Sequence, residues 1–88
     1  MKLEGNILSG EFDQNRNEFT LQKIKHFQAE STLKEGQLLS LYHYLTAHQF
    51  DTGGQILTLY DQMPIKLNEE ELKQLIEDLE KVKEWYDR

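Results

Sequence analysis

The chain has 88 residues, 38% of them apolar and 30% charged, with no cysteine and with 16 acids against 10 bases for a net charge of −6. A chain of this length is expected to form one domain, residues 1–88, with a radius of gyration of roughly 12 Å and about 60–65% of its unfolded surface buried, which disfavours a large active-site cavity. The lack of cysteine excludes a disulfide framework and thiolate metal ligation, the acidic balance opposes binding to phosphate backbones or anionic lipid, and no apolar run approaches the roughly 20 residues that span a bilayer.

In chain order, residues 1 to 27 read as a β-hairpin. Leu3, Ile7, Leu8, Phe12, Phe19, Leu21 and Ile24 supply its apolar positions, and the polar run Asp13-Gln14-Asn15-Arg16-Asn17 suits its turn. Ile7 and Leu8 are adjacent, and the apolar set changes parity between Leu21 and Ile24, so a bulge is expected near Gly5, Gly10 or Lys23.

Thr32 with Glu35 has the spacing of a capping box, preceded by Ser31 as a residue suited to opening a helix and followed by Leu38, Leu41, Tyr42 and Leu45 at helical steps. The pattern predicts a helix over 33–46. Gly36 lies inside it, and Leu-Ser-Leu-Tyr-His-Tyr-Leu is rich in strand-forming residues, so a third long strand is the alternative for this stretch.

Asp51-Thr52-Gly53-Gly54 is a turn signal. Beyond it Leu57, Leu59, Met63, Ile65 and Leu67 share one parity, with Asp61 alone breaking the row, which predicts an extended strand leading into the last helix. A short helix through Ile56, Leu59, Tyr60 and Met63 fits less of the run, and Pro64 fits an edge or bulged strand.

The last 21 residues spell a complete amphipathic helix. Asn68 and Glu71 form a capping box, Leu67 and Leu72 a hydrophobic staple, and Leu72, Leu75, Ile76, Leu79, Val82 and Tyr86 the buried stripe. Glu69, Glu70 and Glu71 suit the positive end of the helix dipole, and Glu69 with Lys73, Glu77 with Lys81 and Glu84 with Arg88 are acid-before-base pairs four apart. Eight acids against four bases leave −4 on this segment. The fold expected is α+β, a small antiparallel sheet made of the N-terminal hairpin plus a third strand, packed against two helices in the order β-β-α-β-α.

No pattern carries chemistry. His43 and His48 are five residues apart and point roughly 140° from each other on a helix, so neither they nor His26 predict a metal site. Ser9, Ser31 and Ser40 lack a nucleophile elbow, and Gly53-Gly54 lacks the lysine and spacing of a phosphate-binding loop. A non-enzyme without metal or cofactor is expected.

The distinctive surface is the acidic outer face of the last helix. Glu77, Asp78, Glu80, Glu84 and Asp87, joined by Glu11, Asp13 and Glu18 near the hairpin turn, are the candidate carboxylates for a partner's basic groove. Trp85 lies about 60° from Val82 on the flank of the apolar stripe, where an aromatic ring can be partly exposed and anchor an interface. Tyr42, Tyr44, Tyr60 and Tyr86 are the further aromatics available. A helical charge run is otherwise an ordinary solvated surface.

The function expected is a small acidic protein-binding module with a protein partner that carries a basic surface, and no direct binding of nucleic acid or membrane. It would act as a nucleic-acid mimic on a partner such as a defence nuclease. Phage-encoded anti-CRISPR and anti-restriction inhibitors are the compositional analogy. The alternative is a homo-oligomeric structural or regulatory subunit, with a homodimer as its simplest form. The first residues lack the basic-then-apolar pattern of a signal peptide, so the cytoplasm is the expected compartment.

Overall fold

The computed structural model describes residues 1–50, 55–57 and 64–86. Its first 34 residues form an antiparallel meander of β1 (Lys2–Glu4), β2 (Leu8–Asp13), β3 (Glu18–Ile24) and β4 (Phe27–Lys34), paired in that order. Helix α1 (Glu35–Ala47) follows, then a separate two-stranded pair of β5 (Gln55–Leu57) and β6 (Ile65–Leu67), and finally helix α2 (Glu69–Lys83). The class is α+β as expected, with one four-stranded antiparallel sheet and two helices.

The element order differs from expectation at four places. Gly5, Asn6 and Ile7 turn the chain between β1 and β2, so the segment read as one hairpin holds three strands. Lys25 and His26 make a two-residue turn into β4, and Lys25 takes a left-handed φ of 56° there. The third difference is β4 itself, which occupies the residues expected to open the first helix. In β4 Ala29, Ser31 and Leu33 are buried while Gln28, Glu30, Thr32 and Lys34 are exposed. This two-residue period outweighed the Thr32–Glu35 spacing.

Thr32 is therefore a strand residue whose hydroxyl lies 3.3 Å from that of Thr20 on β3, and Ser31 points into the core instead of opening a helix. The reciprocal contact at the start of α1 comes two residues later, where the Lys34 N–H donates to the side-chain oxygen of Gln37 at 2.9 Å. Residues 35–47 are helical, which removes the long-strand alternative over the stretch it shares with α1.

The expected bulges are present. The β2/β3 register slips between Ser9 and Gly10, and the β3/β4 register slips between Leu21 and Lys23, so Gln22 is the residue through which the sheet changes parity. Asp13 shapes the β2/β3 turn by accepting the N–H groups of Asn15 at 2.9 Å and Arg16 at 3.2 Å, and Asn17 closes it with φ 55°.

The alternating run read as one strand is a pair instead, because Leu57 lies opposite Ile65 and Gln55 opposite Leu67. Residues 51–54 and 58–63, with the expected Gly53-Gly54 turn, lie outside the described residues.

The inward face of the meander and one face of each helix make a single core that includes Leu8, Phe12, Phe19, Leu21, Ile24, Leu38, Leu45, Leu72, Leu75, Leu79 and Val82. Helix α2 contacts β2 and β6, and α1 packs on α2. The boundary of α2 follows its sequence signals: Asn68 accepts from the Glu71 N–H at 2.8 Å, and Glu71 accepts from the Asn68 N–H at 3.0 Å. The N–H bond from Asn68, followed by Lys25 at 3.0 Å, holds the Glu71 carboxyl below its ordinary range. That contribution is present above the usual carboxylate pKa and fades as pH falls. The Lys25 ammonium also donates to the Lys66 carbonyl at 2.9 Å, tying the β3/β4 turn to β6 as well as to the first turn of α2.

Tyr86 closes the opposite end of the core. Its ring meets Phe12 edge-on at 4.9 Å, and its hydroxyl donates to the buried Leu33 carbonyl at 2.7 Å. Burial pushes the Tyr86 hydroxyl up to about 12, helped by the nearby carboxylates of Glu35 and Glu18. The folded chain thus holds this proton more tightly than the unfolded chain, whose tyrosines ionise near 10. The resulting stability is complete below pH 10 and is lost as pH rises toward 12. Tyr86→Phe is expected to lose about 1–2 kcal/mol near neutral pH and to flatten this alkaline decline, as read by urea unfolding across pH. An equal alkaline decline in the variant would contradict the assignment.

Candidate protein-binding surface

The six residues expected to form a binding face do not share one surface. Asp78 is fully buried. Its carboxylate turns inward and accepts the backbone N–H groups of Asn6 at 2.9 Å, Ile7 at 2.8 Å and Leu8 at 3.0 Å, holding the β1/β2 turn against α2. The sequence does carry the signal for this, because Asp78 stands three residues after Leu75 and four before Val82, at the margin of the buried stripe.

Glu80 is exposed but engaged. It accepts a hydrogen bond from the Tyr42 hydroxyl at 2.9 Å, and Lys83 sits over the same ring with its ammonium 4.4 Å from the centroid. That hydrogen bond, with some burial and the negative charge of Glu80, raises the Tyr42 hydroxyl above its ordinary pKa. The group clamps α1 to α2. Glu77 and Glu84 remain at the surface, where with Glu80, Lys81 and Lys83 they line a shallow hollow of mixed charge. Asp87 lies outside the described residues.

Trp85 is half-buried, as its place on the flank of the stripe suggests. Glu84, Trp85 and Tyr86 form a turn beyond the last helical residue, and the Trp85 N–H bonds back to the Val82 carbonyl at 2.9 Å. The indole packs against Phe12 with ring centroids 6.1 Å apart. Phe12 is flanked in β2 by the exposed acids Glu11 and Asp13, which line a second hollow with Met1, Gln14, Asn15, Thr20 and Gln22. The influence of Glu18 and Glu35 on the Tyr86 hydroxyl places those two carboxylates at the same end of the molecule.

Glu11 and Asp13 alternate with Phe12 along β2, so they project from the outer face of the sheet while Trp85 packs on the inner one, and Glu84 is the exposed acid next to the indole.

The histidines are separated, His26 beside Phe27 at 4.4 Å, His43 beside Tyr42 at 5.7 Å and His48 beside Tyr44 at 4.5 Å. No cluster of three or more metal-ligating side chains occurs among the described residues, and none of their helices is long and apolar enough to cross a membrane. No family model, curated protein or solved structure matches the chain.

Proposed function

We propose that this chain is a non-enzymatic protein-binding module, an inhibitor held by a basic surface of its partner through the exposed carboxylates of α2 and Trp85. The observation that carries the reading is a half-buried indole, held against Phe12, that directly follows the exposed Glu84 at the end of α2. An aromatic anchor next to an exposed carboxylate suits arginine and lysine, because a guanidinium both pairs with a carboxylate and stacks on an indole face. A basic groove that normally holds phosphates offers the same donors, so a nucleic-acid-handling enzyme of the cytoplasm is the partner class this chemistry fits. A phage-encoded inhibitor of a defence nuclease is the biological setting proposed.

The binding face is smaller than the helix surface first expected. Asp78 is withdrawn into the core and Glu80 is bonded to Tyr42 at the α1–α2 contact, and the reading is placed on the exposed Glu77 and Glu84 and on Trp85. The double reversal Glu77→Lys/Glu84→Lys is expected to abolish capture of the partner from a host lysate. Trp85→Ala is expected to weaken it by roughly 2 kcal/mol. The two reversals should shift stability by only about 1–2 kcal/mol, since both positions are exposed and each change turns an acid-before-base pair into a like-charge one. Undiminished capture by the folded double variant would refute the proposal.

A further inference from the structure

The junction between β4 and α1 carries two competing instructions. Thr32 and Glu35 have the spacing of a capping box for a helix that opens at Leu33, yet Leu33 and Lys34 are the last residues of a strand and α1 opens at Glu35. The helix start as it stands is a poor one. Its N-cap is Lys34, whose side chain makes no capping hydrogen bond and brings a cation to the positive end of the helix dipole. The strand is also lightly held. Among the described residues β4 pairs with β3 alone, and the hydroxyl of its buried Ser31 has no hydrogen-bond partner.

We infer that Leu33 and Lys34 form a two-state junction, strand in one state and the first turn of a longer α1 in the other, with the Tyr86 hydroxyl as the latch that holds the strand. One carbonyl lies at the decision. The Leu33 oxygen accepts from the Tyr86 hydroxyl at 2.7 Å in the strand state. In a helix that opens at Leu33 the same oxygen is the intrahelical acceptor for the N–H of Gln37, four residues on. Thr32 keeps an extended backbone in both states, because an N-cap residue is itself extended. In the longer helix the Thr32 side chain caps, the Glu35 carboxylate accepts the Thr32 N–H, and Lys34 leaves the N-cap.

The burial of Leu33 and its pairing with Phe19 oppose the change and, with the latch, make the strand the major state. Two residues that pass from extended to helical shorten the connection by roughly 4 Å, so the pairs of Leu33 with Phe19 and Lys34 with Glu18 open together. Tyr86 directly follows Trp85, so a partner that displaces this turn releases the latch. That link alone rests on the proposed function; the two-state junction does not.

The test is NMR relaxation dispersion at residues 31–36 of the full chain, of Tyr86→Phe and of Tyr86→Phe/Thr32→Val, with the shifts of α2 as the check that each protein is folded. The unaltered chain is expected to exchange with a minor form in which Leu33 and Lys34 have helical carbon shifts. Tyr86→Phe, which loses only the hydroxyl, is expected to raise that form about fivefold, the worth of one neutral hydrogen bond. Thr32→Val keeps the shape of the side chain and removes the cap, so the double variant is expected to fall back to the population of the unaltered chain or below it. A strand end that merely frays would lose amide protection in Tyr86→Phe without helical shifts and without recovery on Thr32→Val, and that result overturns the inference. So does the absence of helical exchange at Leu33 and Lys34 in all three proteins.

Discussion

Asp78→Ala is expected to destabilise the fold by about 3–5 kcal/mol, one of the two largest effects of a single substitution in this protein. The carboxylate is fully buried, and three backbone N–H groups satisfy it. Hydrogen bonds to an ionised acceptor are worth roughly 1.5–3 kcal/mol each, and removing the acceptor leaves the donors of a tight turn facing a cavity. Water can reach the partly buried Asn6 and Ile7 sites, so the loss falls short of three full bonds.

A protein of this size is typically stable by roughly 5–10 kcal/mol, so the variant should be near its unfolding threshold at physiological temperature. Asp78→Asn is expected to recover only part of the loss, since an amide offers one oxygen and turns its NH2 toward a donor. Urea unfolding of the three proteins checks the order. An alanine variant within 1 kcal/mol of the parent, a margin set against bonds of roughly 1.5–3 kcal/mol, would show that the β1/β2 turn is not held by this carboxylate.

The second large effect is expected at Gly10→Ala, about 3 kcal/mol. Gly10 is buried at the register slip in β2, and a side chain there would overlap the ring of the fully buried Phe19 and the backbone oxygen of Thr20. The oxygen belongs to the adjacent strand and cannot rotate away, so either the ring leaves its rotamer or the strands separate. Adding Phe19→Leu should make the pair less destabilised than the two single changes summed, because the shorter side chain vacates the contested space. Additive losses would argue that the ring contact does not limit the site. Gly5→Ala differs in kind, since its clash is with the Asp78 carboxylate and would disturb that residue's hydrogen bonds.

These two positions show where sequence reasoning reaches and where it stops. Helix α2 was legible because its start is written in local chemistry, Asn68 and Glu71 capping each other three residues apart, and because its stripe has the helical period. The turn after β2 was legible for the same reason, with Asp13 bonding its own neighbours. Bulges near Gly10 and Lys23 followed from the parity of the apolar residues.

Strand β4 was not legible as a strand. Its inward positions are Phe27, Ala29, Ser31 and Leu33, of which the middle two are small and weakly apolar or polar, while Thr32 and Glu35 imitate a helix start. Only the neighbouring strand decides between them. Asp78 was misread as a surface acid because its bonding partners lie about 70 residues away in the chain. A lone acid at the margin of an apolar stripe does not reveal whether such partners exist. Glu80 was likewise placed correctly on the outer face, but its engagement with Tyr42 depends on how α1 crosses α2.

The burial of Asp78 moves the proposed binding surface from the length of α2 toward its C-terminal end. The measurement that tests this function most directly is retention of host proteins on the immobilised chain as ionic strength is raised, run in parallel with the Glu77→Lys/Glu84→Lys variant. A partner held by carboxylates should be retained at low salt, released as screening shortens the reach of charge to about 3 Å near 1 M, and absent from the variant. The same proteins retained by both chains at every ionic strength would contradict the proposal.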